Sequence, residues 1–210
     1  MHITFTGHRA IARNYPSDYT SLHSDLRWGP VCAGLDRLYE WIKSRNTLQD
    51  RDIHFHNGGA MGFDLASYYT LIRPSIPHGG TWTLHLAWPG YWNPKWNRLP
   101  NHIQQQVRSC YSSSTDEEYG QSFDDGQWQV ALKARNVQMV QHLGDGDCMI
   151  AMWDGAKRGG TWHAINEAVK WRASMFGHEY RIFVIHPLTG RTGVIPMEQN
   201  PEAPAVVYGN

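Results

Sequence analysis

Residues 147–152, Asp-Cys-Met-Ile-Ala-Met, hold five apolar side chains in an unbroken run, and a glycine-rich loop follows at Trp153-Asp154-Gly155. A strand with one wet face alternates apolar and polar residues. A strand that is apolar throughout is covered on both faces, which points to helices packed on either side of a parallel sheet. Residues 181–186, Arg-Ile-Phe-Val-Ile-His, repeat the pattern.

The surrounding segments agree. Residues 2–6, 52–57 and 82–87 read as further short strands, the first stopping at Gly7 and the second at Gly58-Gly59. Val31, Leu35, Leu38 and Ile42 recur at spacings of three or four, which predicts an amphipathic helix over 29–46. Helices are also predicted over 61–73, 100–110, 128–143 and 161–177. For the helix over 128–143, the expected inner face is Val130, Ala134, Val137 and either Met139 or Val140. Strand and helix alternate, so the fold class is α/β: a mainly parallel sheet with helices on both faces. One domain is expected over 1–186. Residues 88–127, with three prolines, a serine run at 112–114 and an acidic patch at 116–118, read as an aromatic-rich insertion or lid. Residues 187–210 carry Pro187, Pro196, Pro201 and Pro204 and are expected to form an irregular tail with one late strand at most.

Composition narrows the function. The 19 Lys+Arg balance the 19 Asp+Glu, which argues against a nucleic-acid partner held through its phosphate backbone but leaves room for a local pocket for a small anion. No run approaches the roughly 18 apolar residues of a membrane span, and the first residues show no secretory pattern. Cys32, Cys110 and Cys148 lie far apart, as free thiols in a reducing cytoplasm would. A cytoplasmic protein with no membrane partner is expected. The 10 Trp and 12 His belong either to the core or to a pocket that stacks flat rings.

In open α/β sheets, ligands bind beyond the carboxyl ends of the strands. Three unusual segments fall there: Thr6-Gly7-His8-Arg9, then Asn57-Gly58-Gly59-Ala60-Met61-Gly62-Phe63-Asp64, then Asp154 through Gly159-Gly160-Thr161. Each puts small residues just before a helix, where backbone N–H groups and the helix N-terminus favour an anion. Singly, each glycine serves equally well as a tight turn. No GxGxxG and no GKS or GKT is present. Arg9 and Arg158 are candidate anion donors. Asp64 is a candidate acceptor from a ribose or amine, or a helix-start carboxylate that complements the dipole. Arg135-Asn136 sits in a helix with one apolar side, and a buried Arg is rare unless partnered. Trp153, beside Asp154, and Trp162 flank the last glycine loop and are candidate ring stackers. His54 and His56 share one strand face, an arrangement metal sites use, but no third ligand stands out, so ordinary packing and no metal are expected. No GxSxG and no activated Cys supports nucleophilic catalysis, and no cofactor is expected.

Taken together, TGHR at 6–9, GGAMGFDLAS at 58–67, ARNVQMV at 134–140 and DCMIAMWDGAKRGGTWHAINEA at 147–168 resemble the SLOG superfamily of Rossmann-like nucleotide-binding proteins, most closely its YpsA-like branch of bacterial and phage proteins. The resemblance spans about residues 1–186. It implies one doubly wound domain binding a nucleotide or nucleotide-derived ligand at the glycine loops, and self-association into a homo-oligomer. The related LOG-type phosphoribohydrolases cleave N-glycosidic bonds of nucleoside monophosphates with a helix Arg, matched here by Arg135, and a Glu in a PGGxGTxxE loop. This chain has Ala164 at that Glu's position, and Glu167 lies one turn further on, roughly 4.5 Å along the helix axis. The resemblance thus implies a sensor or sequestering protein for an NAD-like, ADP-ribose-like or cyclic nucleotide. The alternative is an N-glycosidase or transferase using Arg135 with Asp64 or Glu167. A third expectation makes the Trp-rich stretch 82–96 an interaction surface.

Overall fold

The apolar run at 148–152 is a strand in the computed structural model of the protein, which describes residues 1–7, 26–60, 62–88, 91, 116–119, 127–174, 179–196 and 206–208. All five side chains are buried. Cys148, Ile150 and Met152 enter one hydrophobic core, and Met149 and Ala151 enter a second on the opposite face. The unbroken apolar run is therefore the signature of a sheet with two covered faces.

Eight strands form that sheet among the described residues. They are β1 (His2–Gly7), β2 (His54–Asn57), β3 (Thr81–Leu86), β4 (Asp116–Tyr119), β5 (Cys148–Met152), β6 (Arg181–Ile185), β7 (Thr192–Ile195) and β8 (Val207–Tyr208). Their order is β4-β3-β2-β1-β5-β6-β7-β8. The first six run parallel, and β7 and β8 are antiparallel to their neighbours. The expected Rossmann-like, doubly wound and mainly parallel α/β fold is the observed one.

Four helices matter for the site. α1 (Gly29–Asn46) matches its predicted span, with Val31, Leu35, Leu38 and Ile42 buried. α2 starts as Phe63–Ser67, passes through a π-turn at Tyr68–Ile72 and continues to Arg73–Ser75. α1 and α2 fill the first core. α3 (Trp128–Gln141) and α4 (Gly159–Ser174) cover the other face, where Val140, Ile165, Ala168 and Val169 join Met149, Ala151, Ile182 and Val184. No described helix is long and apolar enough to cross a membrane.

Several expectations are corrected. The tail is not irregular from 187 onward. β7 pairs with β6 through Ile182↔Ile195, and β8 extends the sheet once more. Pro187 and Pro196 bracket β7 without interrupting it, which is where proline is tolerated. Within the 88–127 insertion, Asp116–Tyr119 is a strand pairing with β3, while the helix expected over 100–110 lies outside the described residues. The strand expected at 52 begins at His54, because Asp50–Asp52 forms a 3-10 turn whose Asp52 carboxylate accepts the Gln49 N–H at 2.9 Å. The inner face of α3 is Ala131, Arg135, Asn136, Met139 and Val140, and Val130 is 53% exposed.

Where β1, β2 and β3 face α3, the sheet is polar. His2, His54 and Thr81 form one cross-strand row, and Thr4, His56 and Thr83 the next. Both ring nitrogens of His54 lie 2.8 Å from threonine hydroxyls, Thr81 and Thr83. His56 is bridged to His2 at 2.8 Å and to His85 at 2.9 Å, and the His142 ring stacks on it with centroids 4.5 Å apart. Burial holds His56 far below the usual histidine range, reinforced by His85, His142, His54 and His2. Burial also pushes His85 down to about 3, reinforced by His142, Arg135 and His54. Both rings are neutral in the folded protein, while the unfolded chain protonates them near pH 6.5. Below that pH the unfolded state binds more protons, so this contribution to stability is lost as pH falls. Denaturant melts should show stability declining from about pH 6.5 towards pH 5, by up to about 1.4 kcal/mol per pH unit for each titrating ring. His85→Asn should flatten the slope. A profile that is level across that window would show that the cluster is not held neutral.

Candidate functional site

β1 lies between β2 and β5, and the crossovers leave it on opposite sides. The chain after β2 climbs into α2 on one face, and the chain after β5 climbs into α4 on the other. Such a reversal opens a crevice above the carboxyl ends of the strands. A cavity of about 670 Å³ occupies that position. Thr6 and Gly7 from β1, Ala60 from the loop after β2, Asp64 from the first turn of α2, Arg135, Asn136 and Met139 from α3, and Gly159, Gly160 and Thr161 from the start of α4 all line it.

The loop after β2 is built on Asn57, which is fully buried. Its side-chain amide donates to the Asp64 carbonyl at 2.8 Å and the Ser67 hydroxyl at 3.2 Å, and its carbonyl accepts from Gly59 N–H at 2.8 Å. The Asp64 carboxylate accepts from Ala60 N–H at 3.1 Å. An Asn before two glycines therefore ties the strand end to the first turn of α2 and fixes the buried Asp64 at the cavity wall.

Arg135 is 8% exposed. Its Nη1 donates to the Gly58 carbonyl at 2.5 Å, and its Nε to Asn136 Oδ1 at 3.2 Å. Asn136 Nδ2 in turn donates to the Gly160 carbonyl at 3.1 Å. These two neighbours on α3 thus join the β2 loop to the α4 loop across the cavity. The first turn of α4 carries no acidic residue, so its backbone N–H groups leave the partial positive charge of a helix N-terminus unopposed from within the helix.

Gly7 and Gly58 owe their identity to close approach. A Cβ on Gly7 would overlap the Phe63 ring at the start of α2, and one on Gly58 would overlap the Arg135 guanidinium and lie 2.8 Å from Asp64 Oδ2. Arg135 and Asp64 therefore flank the same backbone position.

Of the residues singled out from sequence, Gly7, Ala60, Asp64, Arg135, Asn136, Gly159, Gly160 and Thr161 come together around the cavity. Gly58 and Gly59 are buried and support it through Arg135 and Asn57. Gly62 begins α2 with a positive φ of 81°. His8, Arg9 and Met61 lie outside the described residues. Four candidates do not line the cavity. Trp153 is buried against Trp162, and its indole N–H donates to the Ala156 carbonyl at 2.9 Å. Asp154 is exposed and accepts from Ala156 N–H. Arg158 is exposed. Glu167 pairs with Lys170 at 3.0 Å.

Trp162, the other candidate ring stacker, lines the cavity, and the sequence reading missed His163 and Asn166, which share that face of α4 with Gly159, and Trp128, Leu132 and Lys133 on α3. Their spacings of three and four are the available signal once the face is anchored on Gly159 or on Arg135 rather than on the valines. His163 is half-buried, and burial lowers its pKa, partly offset by Glu167. The reading also missed His85 and His142, whose ring nitrogens lie with one from His56 within 4.8 Å of one another.

Compared with family models and with curated proteins, the chain gives no match. The site is therefore argued from its own geometry.

Gly58→Ala should destabilise the protein by about 1–3 kcal/mol, as overpacking does. Gly29→Ala, with open space around the added methyl, should be neutral or slightly stabilising. Denaturant midpoints of the two variants check this. Equal midpoints would mean that Arg135 does not sit against Gly58.

Proposed function

We propose that the protein binds a nucleotide or a nucleotide-derived ligand in this cavity, as a sensor or sequestering protein. The observation that carries the reading is the buried Arg135, held by neutral groups at Gly58 and Asn136 across the cavity from the N-terminus of α4. Two of its five N–H donors are used in those bonds. A guanidinium and a helix N-terminus lining one crevice suit a phosphate or pyrophosphate. Asp64 supplies an acceptor for sugar hydroxyls or an exocyclic amine. Of the two tryptophans offered by the sequence, Trp162 and not Trp153 has its ring at the cavity wall. The volume lies in the usual range for small-molecule sites.

Cleavage of an N-glycosidic bond is supported less well. Glu167 is held by Lys170 and does not line the cavity, which leaves Asp64 as the described carboxylate on its wall. Binding without consumption is the expected behaviour.

A panel of mononucleotides, dinucleotides and cyclic nucleotides should contain at least one that raises the melting temperature and is recovered intact by mass spectrometry. At about 100-fold excess over Kd the gain is about 2.7 kcal/mol. Arg135→Ala should weaken that binding by about 10- to 150-fold, the worth of one charge-assisted hydrogen bond. If no nucleotide shifts the melt, the reading fails. If a free base is released, the protein is an enzyme of the alternative class.

A further inference from the structure

We propose that His56, His85 and His142 form a binding site for one first-row transition-metal dication of the zinc class. The site lies beneath the nucleotide cavity and is separate from it, since none of the three residues lines that cavity.

The geometry carries the proposal. β2 supplies His56, β3 supplies His85, and the C-terminal end of α3 supplies His142. One ring nitrogen from each lies within 4.8 Å of the others. The closest pair, His56 Nδ1 and His85 Nε2, is 2.9 Å apart. In a tetrahedral zinc site with Zn–N distances of about 2.0–2.1 Å, ligand nitrogens are separated by roughly 3.3 Å, so small rotations of these rings admit an ion.

The proton count also fits. Each neutral imidazole has one N–H and one lone pair. The His56–His85 hydrogen bond places one proton between the two facing nitrogens. Binding moves that proton to the other nitrogen of the same ring, so two lone pairs face the ion and no net proton is lost. With Nδ1 on the metal, His56 Nε2–H donates to His2 Nδ1 at 2.8 Å, the outer-partner arrangement that orients metal-bound histidines. His54 stays out of the set because both its nitrogens are engaged by Thr81 and Thr83.

The setting makes packing alone a poor account. A covered parallel sheet face is normally apolar, and buried polar rings cost desolvation free energy. Here His56 and His85 are almost completely buried, with His142 stacked on one of them and half-buried, which leaves a route to solvent. Imidazole nitrogen donors select zinc, copper, nickel or cobalt over calcium or magnesium.

The test uses the full chain, stripped with chelator and titrated with Zn²⁺ by calorimetry and with Co²⁺ by visible absorption. One ion per chain should bind. Co²⁺ should give the intense d–d bands of a four- or five-coordinate nitrogen site, and Zn²⁺ should raise the melting temperature. His142→Ala, at a half-buried position, should weaken binding by more than the roughly 10–100-fold that outer partners cost. His85→Gln should do the same, and the exposed His78→Ala should leave binding unchanged. Absence of stoichiometric Zn²⁺ and Co²⁺ binding by the unaltered chain overturns the proposal. So does undiminished binding by His142→Ala and His85→Gln, or equal loss in His78→Ala.

Discussion

The change of winding direction at the β1–β5 junction is the constraint from which the rest of the molecule follows. β1 hydrogen-bonds to β2 on one side and β5 on the other, yet the helices that follow those two neighbours pack on opposite faces. Above the junction no helix can cover the strand ends, so a crevice is unavoidable. It falls where the glycine segments end their strands. Gly7 must lack a side chain so that α2 can begin against it, and Gly58 so that Arg135 can reach its carbonyl. The small residues are there for packing, and the exposed backbone they leave at the cavity wall is its consequence.

Charge is placed with the same economy. The chain is neutral overall, but a guanidinium buried among carbonyls is not neutral locally. A charge in a low-dielectric setting is stabilised only by the groups aimed at it. Arg135 has carbonyl oxygens on Gly58 and Asn136, and the Asp64 carboxylate approaches the same point over the Gly58 Cα. The α4 N-terminus adds positive potential from the opposite wall. An anion placed in the cavity would meet both, so net neutrality is compatible with the proposed phosphate-bearing ligand.

Much of the scaffold was legible in the sequence, and the reasons are local. α1 announces itself through Val31, Leu35, Leu38 and Ile42 because its inner face is purely apolar. β5 and β6 do so because both their faces are covered. The convergence of Gly7, Asp64 and Gly159 follows from parallel topology alone. What was not legible depends on tertiary register. Trp153 continues the alternation of β5 into the second core, whereas Trp162 sits in the first turn of α4 and lines the cavity; in sequence the two look interchangeable. The prolines suggested an irregular tail because the places of Pro187 in the turn before β7 and of Pro196 just after it are visible only once β7 pairs with β6. Glu167 is a different case: its i,i+3 pairing with Lys170 on one helix is legible in sequence, whereas its absence from the cavity wall depends on how α4 is turned.

α3 explains the deepest failure of the sequence reading and joins the two polar regions. Its apolar residues suggest an inner face of Val130, Ala134, Val137 and either Met139 or Val140; Met139 and Val140 are both buried, but in place of the other three the helix buries Ala131, Arg135 and Asn136. A helix normally gains its place by burying an apolar stripe. α3 does so at Ala131, which enters the first core, and at Val140, which enters the second. Along the rest it is held by directed polar contacts: Arg135 to the β2 loop, Asn136 to the α4 loop, and the Met139 carbonyl to the Thr4 hydroxyl at 3.2 Å. The same strip of the helix continues to His142 over the buried histidines. Directional contacts fix register more tightly than apolar ones, because a one-residue slip would break several hydrogen bonds at once. They also leave α3 sensitive to what occupies the spaces beneath it. A ligand bridging Arg135 and α4 acts on the middle of this helix, and an ion held by His142 acts on its C-terminal end. Both would stabilise the same alignment, so occupancy at either place should favour occupancy at the other through the single rigid element they share.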